Sequence, residues 1–335
     1  MNDPSTQACS PTLLARLRAR AGAGGVVDYR DFSDVALYAP DVGYYAREDA
    51  ARVGRRPQTD FYTSSSLGGG IFGQLVRAAA MELLSPDSPG EYTLLEIAAE
   101  RGRGIFSPAA APFAAVEARS LGQGLLPPPK AAVFANEWLD AQPFHRLVFR
   151  RGGWRELGVN VTGPILAEVE LPQVSPAARA LLPDLPRETA EDYHVDISLD
   201  AESRLRELVA APWRGALMLA DYGHDWRTLT RERPAGTARA YYRHEVSGDL
   251  LARAGEQDLT CHVCWDRLEK ILREGGFSDI RVERQEAFFV KRAAREIEKI
   301  LSHDAAQFSP ARQTLLELLH PAHLGGKFQI LSARR

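Results

Sequence analysis

At 335 residues the chain is long enough for one large α/β domain with insertions or for two domains. A formal net charge of −3, with 45% apolar and 25% charged residues, is ordinary for a globular protein and gives no electrostatic case for nucleic acid. No apolar run approaches the ~20 residues that span a bilayer, and Cys9, Cys261 and Cys264 make no disulfide framework, so a cytoplasmic location without membrane contact is expected.

Asp3 stands before any apolar block, which argues against a secretory signal or an acid-poor transit peptide. Pro11 to Ala21 is predicted as a short helix with Leu13, Leu14 and Leu17 on one face. A second helical piece starts at Asp28 and stops before Pro40, which biases Ala39 away from helix. The turn from Asp41 to Tyr45 delivers two adjacent aromatics, Tyr44 and Tyr45, and a polar loop follows to Thr59. The run from Asp60 to Gly70 is rich in hydroxyls and glycines and precedes a helix from Ile71 to Leu84. Such a run can cradle an anion at a helix start or serve as a flexible connection; it lacks the lysine and spacing of a phosphate loop.

Leu94 to Ile97 reads as a buried strand that enters a turn, Ala98-Ala99-Glu100-Arg101-Gly102-Arg103-Gly104. A second apolar run, Phe113 to Val116, is tipped by Glu117. Strand, turn and acid-tipped strand form the nucleotide-binding half of a doubly wound α/β fold, where the turn approaches the ligand and the acid grips ribose hydroxyls. Glu96 and Glu117 are 21 residues apart, near the ~20 expected of such a pair. Alanine at position 98 costs little as long as its φ stays negative.

Ala131 to Ala135 is a third buried strand and feeds Asn136-Glu137-Trp138-Leu139-Asp140. One helical turn over Glu137–Asp140 would put both carboxylates on one side, to hold a guanidinium or to cap a helix start. Phe144–Phe149 and Trp154–Val161 read as a hairpin, and Ile165 to Leu199 as an irregular inserted cap. Ala201 to Val209 is helical, and Gly215 to Ala220 is the next buried strand, ending at Asp221. Gly236 to His244 reads as a polar loop. Asp258 to Trp265, with His262 between Cys261 and Cys264, leads to a helix closed by Gly275-Gly276. Helices over Arg292–Leu301 and Ala311–Leu319 and a strand at Phe328–Leu331 complete the pattern. Cys261 and Cys264 have no second ligand pair at metal-binding spacing, so packing is their expected role and no metal is expected.

Five segments together resemble the MidA-type methyltransferases, a branch of the class I S-adenosylmethionine enzymes that includes the protein arginine methyltransferase of mitochondrial complex I assembly. They are Ala36–Tyr45, Asp60–Ser64 through Phe72-Gly73, Asn136–Pro143, Asp221-Tyr222-Gly223, and Gly236–Tyr241 with His244 and Asp258–Val263. The resemblance covers most of the chain, from Asp28 to Gly276. The family's turn reads Glu-Leu-Gly-Pro-Gly-Arg-Gly, so Ala98 and Glu100 replace two glycines.

The resemblance implies a class I methyltransferase fold, Rossmann-like, with a doubly wound, mostly parallel sheet. Residues 1–84 would form an N-terminal helical or lid region, and 85–335 the methyltransferase domain with an insertion at about 150–210. It implies an S-adenosylmethionine cofactor contacted by Tyr45, Thr63, Ser64, Glu96, Ala98, Gly102, Glu117 and Asn136. Glu137, Asp140 and His262 would be catalytic, and Tyr44, Asp221 and Asp258 would meet the substrate. The expected reaction is methylation of a protein arginine guanidinium. The alternatives are a small-molecule or peptide acceptor, or a fold kept as a non-catalytic binding module. The expected partner is the methyl acceptor, with a homodimer as a further expectation.

Overall fold

A computed structural model describes residues 7–22, 24–46, 59–60, 64–100, 104–107, 112–120, 122–303 and 309–335. These fall into two compact units that interleave along the chain. One comprises Tyr62–Trp138, Glu202–Gly223 and Trp265–Arg335, the other Met1–Phe61, Leu139–Ala201 and His224–Cys264. The sequence boundary drawn at residue 84 does not coincide with this division.

The first unit is built on six strands: β1 (Thr93–Ala99), β2 (Ala115–Ser120), β3 (Lys130–Asn136), β4 (Arg214–Asp221), β5 (Ser278–Arg284) and β6 (Gln329–Arg334). Their order is β5-β6-β4-β3-β1-β2. β2, β1, β3 and β4 pair in parallel, and β6 runs antiparallel to β4 and β5. Strands covered on both faces read as continuous apolar runs. Leu94, Leu95 and Ile97 of β1, Ala131–Ala135 of β3 and Ala216–Ala220 of β4 are accordingly buried. From β1 the chain crosses outward to β2, whereas from β3 it crosses the other way, to β4. That reversal opens a crevice at the carboxyl ends of β1 and β3, where ligands bind in sheets of this kind.

The helix Ser64–Leu84 packs Phe72, Leu75, Val76 and Ala79 into the core of this unit, with Phe134 and Met218. It starts seven residues before Ile71, so the glycine run lies within the helix and forms neither a cradle nor a flexible connection. Glycine in a helix costs about 1 kcal/mol, and at Gly73 the reason is steric: a Cβ there would lie 2.2 Å from the Ile105 carbonyl oxygen.

In the second unit the antiparallel strands Val26–Asp28, Gly153–Asn160, His145–Arg150 and Tyr193–Ile197 lie side by side, with Ala167–Glu170 also on Gly153–Asn160. Two of these strands fall within 165–199, which therefore belongs to the sheet rather than to an irregular cap. Tyr193, Val195 and Ile197 are buried, and their pairing with His145–Arg150 explains the apolar residues in that stretch. The polar loop expected over 236–244 includes a strand, Arg239–Tyr242, between Glu245–Ser247 and Asp258–Thr260. Helices Pro11–Arg20 and Tyr29–Tyr38 carry Leu13, Leu17, Phe32 and Leu37 into a core shared with Phe144, Val159 and Leu259. Among the described residues no helix is long and apolar enough to cross a membrane.

Candidate active site

At the carboxyl end of β1, Ala98 interrupts the pairing with β2. Ile97 faces Arg119 and Ala99 faces Ser120, so Ala98 is an extra residue in the ladder. It holds φ at 57°, in the left-handed region. The condition under which alanine costs little, a negative φ, is not met: alanine keeps a glycine-type backbone, at a cost of roughly 1–2 kcal/mol. The bend is a β-bulge, a device that re-aims residues beside functional sites.

Glu96, two residues earlier, is only 4% exposed. Its Oε2 accepts the Ile105 N–H at 2.8 Å, which ties the far side of the turn to the strand. Burial pushes its pKa up to about 7; the Ile105 N–H opposes this and the Glu100 charge adds to it. Gly104 fits the same corner because a Cβ would meet Ala118 Cβ at 2.8 Å and Glu96 Oε2 at 3.2 Å. Gly102 lies outside the described residues.

Glu117 does not tip its strand. β2 runs on to Ser120, and Glu117 pairs with Leu95 while Ala118 pairs with Glu96. Glu117 and Glu96 therefore point to opposite faces of the sheet. Polar residues on an edge strand hid its true end. The Glu117 carboxylate accepts from Arg119 at 2.8 Å. A cleft of about 580 Å³ is lined by Glu117, Ala118, Arg119, Gln123 and Gly124.

Across the crevice, β3 ends at Asn136, and the next residue, Glu137, holds φ at 49°. Its N–H donates to the Ala220 carbonyl of β4 at 2.9 Å. Asn136 Nδ2 donates to Glu137 Oε1 at 2.8 Å, and Asn136 Oδ1 is buried with no hydrogen-bond partner among the described residues. A buried acceptor left in this state costs about 1–3 kcal/mol. No helical turn forms over Glu137–Asp140: Glu137 lies in a bend, and Asp140 belongs to the other unit. The left-handed backbone of Glu137 breaks the pattern that an i,i+3 pair needs. Asp221, 1% exposed at the end of β4, accepts the Tyr222 N–H on Oδ1 at 3.1 Å. Ser64 is fully buried and its hydroxyl bonds Gln285 Oε1 at 3.3 Å. Thr63 lies outside the described residues.

The second unit gathers tyrosines and carboxylates. Tyr45 stacks on Tyr38 with centroids 5.4 Å apart, and Tyr44 meets Tyr45 edge-on at 5.1 Å. The Tyr45 hydroxyl donates to Asp258 Oδ1 at 2.8 Å, and the Tyr44 hydroxyl to Asp60 Oδ2 at 2.9 Å. Burial, and then the Asp258 charge, push the Tyr45 phenol well above its ordinary range. Gly43 lets the chain turn here, since a Cβ would sit 2.5 Å from the Ala39 nitrogen. Asp140 is 2% exposed, and its carbonyl accepts the Cys261 N–H at 2.8 Å. The His262 ring lies 5.0 Å from that of His224, and burial, reinforced by His224, lowers its pKa to about 3. It is a neutral imidazole at neutral pH.

Sequence reasoning missed Tyr38, Asp60 and Gly104. For Gly104 the signal was available, as the glycine closing the turn. It also missed a group of half-buried Asp28 with buried His145 and Glu156, whose ligand-type atoms lie within 4.8 Å of one another. Glu156 there accepts from His145 Nδ1 at 2.8 Å and from the Ser175 N–H at 2.6 Å. Neither Cys261 nor Cys264 belongs to this group.

Residues 122–281 match a family described as "Putative S-adenosyl-L-methionine-dependent methyltransferase". A crystal structure of a likely methyl transferase from Burkholderia thailandensis, bound to S-adenosyl-homocysteine, superposes with a TM-score of 0.78 at 25% identity, covering 98% of this chain and 95% of that one. Over residues 122–281 the chain is similar to this methyltransferase family. Its sheet is that of the class I fold. The mouse mitochondrial protein arginine methyltransferase NDUFAF7 is 30% identical over 207 residues, 59% of this chain. The Drosophila melanogaster homologue is 24% identical over 96% of this chain and 84% of its own length. The match to the mouse protein spans only 44% of that protein.

Proposed function

We infer that this chain transfers a methyl group from S-adenosylmethionine to a protein arginine guanidinium. The observation that carries the reading is the crevice itself. At the switch point of the sheet, a left-handed bulge at Ala98, a buried Glu96 tied to the Ile105 N–H, and a cleft beside Glu117 lie in one unit. These residues fit an adenosyl amino acid: backbone without bulky side chains, and carboxylates for its hydroxyl and ammonium groups. The superposing Burkholderia protein was crystallised with the demethylated form of the same cofactor. Ala98 favours a working turn, because the backbone holds the conformation that a glycine would.

The bound cofactor would supply an activated methyl sulfonium, so the protein's work is alignment for in-line displacement. Glu96, through its bond to the Ile105 N–H, would shape the turn after β1 that holds the amino-acid end, and Glu117, on the other face of the sheet, would line the ribose side. Glu137 would accept guanidinium N–H bonds and draw its positive charge aside, leaving the attacking nitrogen richer in electrons. With its pKa lowered to about 3, His262 is too weak a base to take up the proton released by the acceptor, which leaves a carboxylate to receive it. The arginine acceptor is supported by the names of the relatives, and a cytoplasmic location by three cysteines free of disulfides.

The test is incubation of the purified chain with methyl-labelled S-adenosylmethionine and a cell lysate, followed by hydrolysis of the protein fraction. Label in methylated arginine is expected. Label confined to small molecules would contradict the acceptor, and no label in any fraction would contradict transfer.

A further inference from the structure

The turn after β3 is built against its own local preferences. Glu137 holds a left-handed backbone, although it is not a glycine. Asn136 directs Nδ2 to the Glu137 carboxylate and keeps Oδ1 buried with no partner among the described residues. Reversing the amide would not relieve this, because an ionised carboxylate only accepts hydrogen bonds and Nδ2 must face it. The Glu137 N–H is meanwhile fixed on the Ala220 carbonyl of β4. Backbone and side chain of one acidic residue are thus both pinned, at the carboxyl end of a central strand, beside the crevice. Local costs that the surrounding fold does not need collect where a side chain must be held for use.

We propose that Asn136 is the positioning residue for Glu137, and that the carboxylate so held is the contact for a planar, cationic guanidinium of the acceptor. Asn136 then acts through Glu137 and has no contact of its own with the cofactor. The amide, bonded to Glu137 Oε1, removes rotational freedom from a long carboxylate side chain and fixes the plane in which it would meet the acceptor. A bidentate guanidinium contact depends on that plane. This rests on the methyltransferase reading above.

The experiment uses the full chain and two titrations. S-adenosylhomocysteine binding is measured by calorimetry. Guanidinium ion, as the chloride at millimolar concentration, is then titrated into the S-adenosylhomocysteine complex and followed by saturation-transfer NMR. Wild type is expected to bind both. Asn136→Ala and Glu137→Gln should each weaken guanidinium binding by about tenfold while leaving S-adenosylhomocysteine affinity within about twofold. The double variant should be no weaker than Glu137→Gln alone, since a residue that works through another adds nothing once that partner is gone. Asn136→Ser, which keeps a donor, should recover most of the affinity and serves as the second variant if Asn136→Ala does not fold. Independent, additive losses, an unchanged Asn136→Ala, or no guanidinium binding by the wild-type complex would overturn the inference and leave the methyltransferase reading standing. Failure of wild type to bind S-adenosylhomocysteine would overturn both.

Discussion

Replacing Glu96 with glutamine separates what the cofactor turn costs from what it does. The carboxyl is 4% exposed, with a pKa near 7 in the folded chain against an ordinary 4.5. Between those values the folded state binds more protons than the unfolded state, so stability falls as pH rises through the window. At about 1.4 kcal/mol per pH unit, this amounts to about 3 kcal/mol lost by pH 8. Glutamine has nearly the same shape, and its Oε1 can still accept the Ile105 N–H. Glu96→Gln is therefore expected to match wild type within about 1 kcal/mol at pH 4.5 and to exceed it by up to about 3 kcal/mol at pH 8. The assay is urea unfolding of both proteins at pH 4.5, 6 and 8, read as the difference between them so that other titrations cancel. Parallel pH curves would refute the reasoning, because the charge on Glu96 would then be no burden to the fold. The same variant should bind S-adenosylhomocysteine more weakly, since the charge retained at that cost has a ligand to meet.

Other consequences follow from single contacts. Ala98→Gly should relieve the left-handed alanine and, after the greater chain entropy of glycine is subtracted, stabilise the protein by about 0.5–1 kcal/mol; a thermal-shift measurement showing a loss would contradict the bulge. Tyr45→Phe leaves the buried Asp258 without its phenolic donor and should cost about 1–3 kcal/mol in urea unfolding; a change near zero would mean the bond contributes nothing. With its pKa lowered to about 3, His262 should show no NMR titration from pH 8 down to pH 5. Because the unfolded histidine charges near 6.5, His262 makes the fold lose stability as pH falls below that value. An observed midpoint near 6.5 would contradict its burial.

The parts of the fold that could be read in advance are those that one face or one strand determines alone. Leu94–Ile97, Ala131–Ala135 and Gly215–Ala220 are apolar because helices and neighbouring strands cover both sides, and all three are strands. β5, Ser-Asp-Ile-Arg-Val-Glu-Arg, escaped notice because an edge strand carries charge along its length. Gly68–Gly70 read as a breaker, yet tertiary packing of Phe72, Leu75 and Val76 carries the helix back to Ser64. At the site, Glu96, Ala98 and Asn136-Glu137 were found by position after a strand. What they do was not legible: a positive φ at Ala98, the opposite facing of Glu117, and the amide bond from Asn136 to Glu137 are set by register, and register is a relation between strands. The same holds for Tyr45 and Asp258, which are 213 residues apart in the chain.

On the function proposed above, the turn after β1 holds its cofactor despite Ala98 and Glu100. Calorimetric titration of the purified chain with S-adenosylhomocysteine tests it most directly. Saturable binding with one site per chain, weakened in Glu96→Gln, is the predicted result. No heat and no thermal stabilisation at millimolar ligand would contradict it.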